Sequence, residues 1–131
     1  MRILIIFVIG ILSSLNIKAQ DKSLDNFIKR EGYVKFTDTL NLPSTIKSNY
    51  IVIQKFFIKR HFDQNNYYIL LSSVKKDRNT LTLIIRQIEG LKMLKKEADK
   101  NSGPIVGGVG NNEGTLSINV KSKRVDFYGE E

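Results

Sequence analysis

No cysteine occurs among the 131 residues. That absence excludes disulfides, thiolate metal sites and thiol catalysis together. It also rules out a lipid carried on a cysteine behind a leader. Histidine occurs once, at His61. One histidine with scattered carboxylates makes a poor zinc site, because such sites usually combine several His or Cys ligands. A Ser or Thr nucleophile activated by His61 has no GxSxG motif to sit in. Asp63-Gln64-Asn65-Asn66 opens like a calcium loop but lacks the glycine and the distant glutamate. The sequence therefore predicts no metal and no cofactor. Long apolar runs are lacking too: Ile3 to Leu12 is shorter than the roughly 20 residues a membrane-spanning helix needs.

What is present at the start has a recognisable order. Met1-Arg2 is a short positive segment, Ile3 to Leu12 is apolar, and Ser13 to Ala19 is more polar and ends in a small residue. This is the layout of a secretory signal peptide. Residues 1–19 are thus expected to be a leader cut after Ala19, with residues 20–131 forming one small exported α+β domain, periplasmic or secreted. The leader resembles those of bacterial exported proteins. Ile17 is larger than the residue usually favoured three positions before the cut. Retention of the same apolar run as an anchor is the alternative.

Loss of Arg2 and Lys18 with the leader takes the net charge from +8 to +6. Positive charge suits anionic partners, whether envelope glycans, lipid head groups or an acidic protein. It also serves solubility alone. Export argues against nucleic acid as the working ligand. The mature length falls in the usual range of a single domain, and the ordinary apolar fraction argues against disorder.

Hydrophobic periodicity predicts the elements. Leu24, Phe27 and Ile28 make one stripe of a short helix over 21–31, with Asp21 or Ser23 as cap and Gly32 as terminator. Val34, Phe36, Leu40 and Leu42 alternate with polar residues, predicting a strand from Tyr33 that Pro43 stops and that turns Asp38 inward. Tyr50 to Phe62 is apolar on both sides and rich in Ile, Val and Phe, predicting a central strand. Asp63 to Asn66 and Lys75 to Asn79 are polar turns around strands over 67–74 and 80–88. Over 89–100, Ile88, Leu91, Leu94 and Ala98 fit a helical face, and the helix formers around Lys95 favour helix. Leu91 and Met93 also fit a strand behind a Glu89-Gly90 turn. Residues 101–114 are a loop containing Gly103, Gly107, Gly108, Gly110 and Gly114. Leu116, Ile118 and Val120 then pair with Val125 and Phe127 across a Lys121-Ser122-Lys123 turn. The sum is an α+β domain: a short N-terminal helix on an antiparallel meander of about six strands, with a second helix over 89–100. A helix before such a meander is similar to the cystatin-like and related wrapped-sheet folds, which host inhibitors, enzymes and binding modules alike.

Candidate binding residues follow from chemistry and position. The loop offers Gly107, Gly108, Gly110, Asn111 and Asn112, residues that tolerate positive φ and suit a binding lip. It is no dinucleotide fingerprint. The glycine after Gly108-Val109-Gly110 falls one residue late, and a strand rather than a helix follows. Lys59, Arg60 and His61 form a basic cluster, and Tyr67 with Tyr68 could stack on sugar rings, although such pairs more often pack a core. Further basic clusters lie at 75–78, 92–96 and 121–124. In a meander the 59–62 and 75–79 turns lie at opposite ends of one hairpin, so these clusters need not merge. The leading expectation is a small exported non-catalytic binding module whose partner is an unknown protein or an anionic envelope component. One alternative is an inhibitor or immunity-type protein with loop 101–114 as its wedge. Another is a small exported hydrolase using His61 and carboxylates. A membrane-surface role is weaker, because 89–100 carries few bulky apolar residues.

Overall fold

The computed structural model of the chain describes residues 22–101 and 113–129. Residues 1–19, expected as a leader, and most of 101–114, expected as a loop, lie outside the described residues. Helix α1 covers residues 22–30. Its stripe buries Phe27 and Ile28. The Glu31 N–H closes back on the Phe27 carbonyl at 2.9 Å, and Gly32 follows at φ +83. That left-handed residue is the expected terminator.

Two expected strands take other shapes. β1 covers only Tyr33–Lys35 rather than running to Leu42. The chain then turns, with the Asp38 N–H on the Lys35 carbonyl at 2.9 Å and the Asp38 carboxylate accepting from Asn41 Nδ2 at 2.8 Å. Such local bonds by Asp compete with a ladder. A 3-10 turn at Thr39–Asn41 follows, leaving Asp38 at the surface and Leu40 87% exposed while Phe36 and Leu42 stay buried. The second correction is larger. Tyr50 to Phe62 is not a central strand: Tyr50–Lys59 is helix α3, preceded by the short α2 at Ser44–Ser48. Ile46, Ile53 and Phe57 are buried and Tyr50 stacks on Phe36 with ring centroids 4.4 Å apart. The spacing 46, 50, 53, 57 is helical. Ile51 and Ile58 point outward, and these two exposed apolar residues gave the segment its apparent second face.

The remaining elements are a 3-10 turn at Gln64–Asn66, β2 at Tyr67–Asp77, β3 at Thr80–Gln87, α4 at Ile88–Asn101, β4 at Glu113–Asn119 and β5 at Val125–Gly129. Asp63 caps the first of these, accepting from the Asn65 N–H at 3.0 Å. The strands form one antiparallel sheet in the order β1-β2-β3-β4-β5. Among the described residues the strands number five, not about six. α4 confirms the helical reading of 89–100, with Leu91 and Leu94 buried. β2 runs past Val74 to Asp77, so the turn behind it shrinks to Arg78 and Asn79. Its register slips between Leu70 and Lys75. There the Ser73 hydroxyl donates to the Leu70 carbonyl at 2.6 Å and accepts the Ile84 N–H at 2.8 Å, satisfying groups the slip would orphan.

Both faces of the sheet are packed. α2 and α3 cover the face formed by Tyr67, Ile69, Leu83, Ile85, Leu116 and Phe127. α1 and α4 cover the opposite face where Tyr33, Tyr68 and Leu70 lie. At the β4–β5 end of the first face, Gly114 stands opposite Gly129. A Cβ on Gly114 would come within 2.1 Å of the Phe127 ring. The ring therefore occupies the space a side chain would take.

Candidate functional site

The outward side of α3 carries Val52, Lys55, Phe56 and Lys59, spaced three and four residues apart and hence on one helical face. Together with Lys123, Arg124 and Val125 they line an open cleft of about 400 Å³. Its floor is apolar, from Val52, Phe56 and Val125, and its rim is cationic. The far rim is shaped by the β4–β5 turn. Asn119 Oδ1 accepts the Lys121 and Ser122 N–H groups, both at 3.0 Å, and the Lys123 N–H bonds the Asn119 carbonyl at 2.8 Å. This tight wrap puts Lys123 at φ +65.

No residue lining the cleft is acidic. Among the described residues, Lys55, Lys59 and Lys123 have no ion-pair partner, and Arg124 meets Asp126 through Nε at 3.4 Å. Four like charges around one cleft repel one another, and a bound anion would relieve that repulsion. The basic surface extends further. The Val120 N–H bonds the Asn79 carbonyl at 2.8 Å, so the β2–β3 turn lies against the β4–β5 turn. Arg78 therefore stands in the turn next to the one that carries Lys121 to Arg124. The merger of Lys59 with 121–124 follows from Tyr50–Lys59 being a helix laid over the sheet.

The candidate residues named from sequence do not fall in one place. Lys59 lines the cleft. Arg60 is exposed at the end of α3, its guanidinium 5.7 to 5.9 Å from the ring centres of Phe56, Phe62 and Phe127. That is cation–π geometry, which holds the charge beside the cleft. His61 is exposed in the turn at φ +58, its N–H on the Ile58 carbonyl at 3.1 Å. Tyr67 is 4% exposed and packs on Phe57 and Phe62 at 5.0 and 5.3 Å, with its hydroxyl accepting from Gln87 Nε2 at 3.1 Å. Tyr68 lies half-buried on the opposite face, so the two tyrosines form no common platform. Gly107, Gly108, Gly110, Asn111 and Asn112 lie outside the described residues.

Sequence reasoning passed over Lys55 and Arg86. Lys55 was hidden by the strand reading, which separated it from Lys59; helical spacing puts the two one turn apart. Arg86 is buried at 4% exposure, with its guanidinium paired to Glu113 and its Nε donating to the Tyr33 hydroxyl at 3.3 Å. Glu113 stands directly across the β3–β4 ladder. The signal was available, since Arg86 falls on the Thr82–Ile84 side of its strand, but its partner lies 27 residues away. This pair is structural: it neutralises a charge enclosed between the sheet and its covering helices. On the other face, where Tyr50 stacks on Phe36, burial raises the Tyr50 pKa above its ordinary value.

Among the described residues no group of three or more His, Cys, Asp or Glu side chains could hold a metal ion, and no helix is long and apolar enough to cross a membrane. Comparison with protein-family models, with curated proteins and with solved structures finds no match for the chain.

Proposed function

We propose that this chain is a small exported, non-catalytic binding module that takes an anionic partner in the cleft between α3 and the β4–β5 turn. One observation carries the reading: Lys55, Lys59, Lys123 and Arg124 converge on an apolar floor without an acid among the lining residues. Of these, Lys55, Lys59 and Lys123 are kept together without ion-pair partners among the described residues, and their mutual repulsion weakens the fold slightly. A ligand that neutralises them recovers that energy on binding. The leader supports an extracytoplasmic partner, an envelope component or an acidic protein. The apolar floor would favour a ligand with some non-polar surface over a free small anion.

The test is retention of the chain from Gln20 onward on an immobilised carboxylate polymer, poly-glutamate, eluted with increasing salt. Binding is expected at low ionic strength and should weaken steadily as salt screens the charges. In the Lys59→Gln/Lys123→Gln double variant two exposed ion pairs are lost, roughly 1 to 2 kcal/mol together, or about five- to thirtyfold in affinity. The control is Lys92→Gln/Lys96→Gln on α4, which removes the same charge elsewhere. Equal weakening by both variants would mean that net charge alone binds, and would refute the cleft.

A further inference from the structure

We infer that the partner is an extended acidic polypeptide segment that adds a sixth strand to the sheet along the open edge of β5. This rests on the cleft proposed above and names what fills it.

The two edges of the sheet differ. β1 is three residues long, carries Lys35, and is followed at once by the turn at Asp38. Brevity and lysine are ordinary defences of an edge strand. β5 is Val125-Asp126-Phe127-Tyr128-Gly129, with neither proline nor lysine and an unbroken register against β4. Its only acid, Asp126, is engaged by Arg124. The hydrogen-bond phase identifies the free groups. The Asn119 N–H donates to the Arg124 carbonyl at 2.9 Å, so Asn119–Arg124 is an inward-bonded pair. In an antiparallel ladder such pairs recur at every second residue. Ser117–Asp126 and Thr115–Tyr128 are therefore bonded inward as well, and the N–H and C=O groups of Val125, Phe127 and Gly129 project from the edge. Among the described residues no strand pairs with that side of β5.

Charge selects the occupant. Val125, where the open edge begins, also lines the basic cleft. A strand laid along β5 would run from beside Lys123 and Arg124 toward Gly129. Its side chains alternate. Those on the α3 side would meet Lys55 and Lys59; those on the other side would pass Tyr128, which is 64% exposed. Acidic residues at alternate positions satisfy the first set and small or β-branched residues suit the second. Backbone pairing supplies affinity and the cations supply preference, as in other strand-addition complexes. A second copy of this chain fits poorly, because pairing β5 with β5 would bring two basic clefts together.

The experiment uses a short fluorescent peptide of alternating Glu and Thr, titrated into the chain from Gln20 onward at low salt. Two further peptides carry N-methyl groups on every second amide, one in each phase. N-methylation removes donors and blocks strand pairing but leaves the charges. One of the two phases is expected to weaken binding roughly tenfold or more, as loss of several backbone hydrogen bonds should. Binding of the plain peptide should also slow amide exchange at Phe127 and Gly129. If all three peptides bind equally and those amides are unaffected, strand addition is overturned while the anion-binding cleft stands. If neither the peptides nor poly-glutamate bind, both readings fall. If β5 is protected by concentration-dependent dimerisation without peptide, a second copy is the occupant and the inference is wrong.

Discussion

The two faces of the sheet are built from different materials. Under α2 and α3 the core is aromatic: Phe57 alone meets Phe36, Tyr67, Phe56 and Phe62 at 4.8 to 6.1 Å between ring centres. Under α1 and α4 the buried set is smaller, with Phe27, Ile28, Tyr33, Leu91 and Leu94, and it lies beside the enclosed Arg86–Glu113 pair. Apolar packing is tolerant of exchange, whereas a buried charge demands its particular partner. With twelve buried residues against five, the aromatic face is expected to supply most of the packing energy of the fold, and the Arg86–Glu113 pair to help fix which strands meet. It is on the rim of the aromatic face, where that packing runs out to Val125 and Phe127, that the cationic cleft forms.

The widest break in this comparison is Phe57→Ala. Deleting a ring that touches four others should cost about 3–5 kcal/mol in denaturant unfolding, against about 2–5 kcal/mol for Leu91→Ala on the opposite face. If Leu91→Ala proved the costlier, the aromatic face would not be the main core. Next in size is the ion pair. Glu113→Gln leaves Arg86 buried beside a neutral group, and roughly 2–3 kcal/mol of stability should go, somewhat below the range for a fully buried pair because Glu113 is itself a third exposed. The double variant Arg86→Met/Glu113→Leu should recover most of that loss, since nothing charged is then enclosed. A double variant less stable than Glu113→Gln would show instead that the pair contributes net stability and not register alone.

These two faces were also unequally legible. The α1–α4 side is the more legible: 24, 27, 28 is a clean stripe, and 88, 91, 94, 98 favours helix although Leu91 and Met93 also fit a strand. β3 and the β4–β5 hairpin also read from alternation, except that Ile88 belongs to α4 and Val120 to the turn. The aromatic side misleads because α3 is made of residues with strong strand preference, and tertiary burial overrode that preference. Only Ile46, outside the apparent strand, extends the 50, 53, 57 series enough to mark a helix. The cleft was half legible. Its basic residues were visible as clusters, but their meeting depends on the path of α3 across the sheet, which no local pattern encodes. Arg86 was half legible for a similar reason: its side of the strand could be read, but its burial depends on a cross-strand partner 27 residues on.

A smaller effect probes the fit at the end of the β4–β5 hairpin away from its turn. Gly114→Ala must displace the Phe127 ring, which packs on Phe56 and Phe62 at 6.1 and 5.6 Å. Overpacking of this kind costs about 1–3 kcal/mol. Combining it with Phe127→Leu should relieve most of the loss. Failure to relieve it would mean that the Phe127 ring, 2.1 Å from the new Cβ, is not the obstacle.

The smallest expected effect separates the faces by pH. Burial raises the Tyr50 pKa, so the folded state holds the phenolic proton more tightly than the unfolded chain does. Below the unfolded value near 10.0 both states are neutral and nothing is lost. As pH climbs past it, the unfolded chain ionises first and its free energy falls, so stability declines until the pH passes the folded pKa. Tyr50→Phe keeps the ring stacked on Phe36 and removes the ionisable group. Its unfolding midpoint should therefore fall less steeply between neutral and strongly alkaline pH than that of the parent chain. Parallel curves would mean that the hydroxyl reaches water freely, and that the aromatic face is open at its Tyr50 end as well as along the cleft.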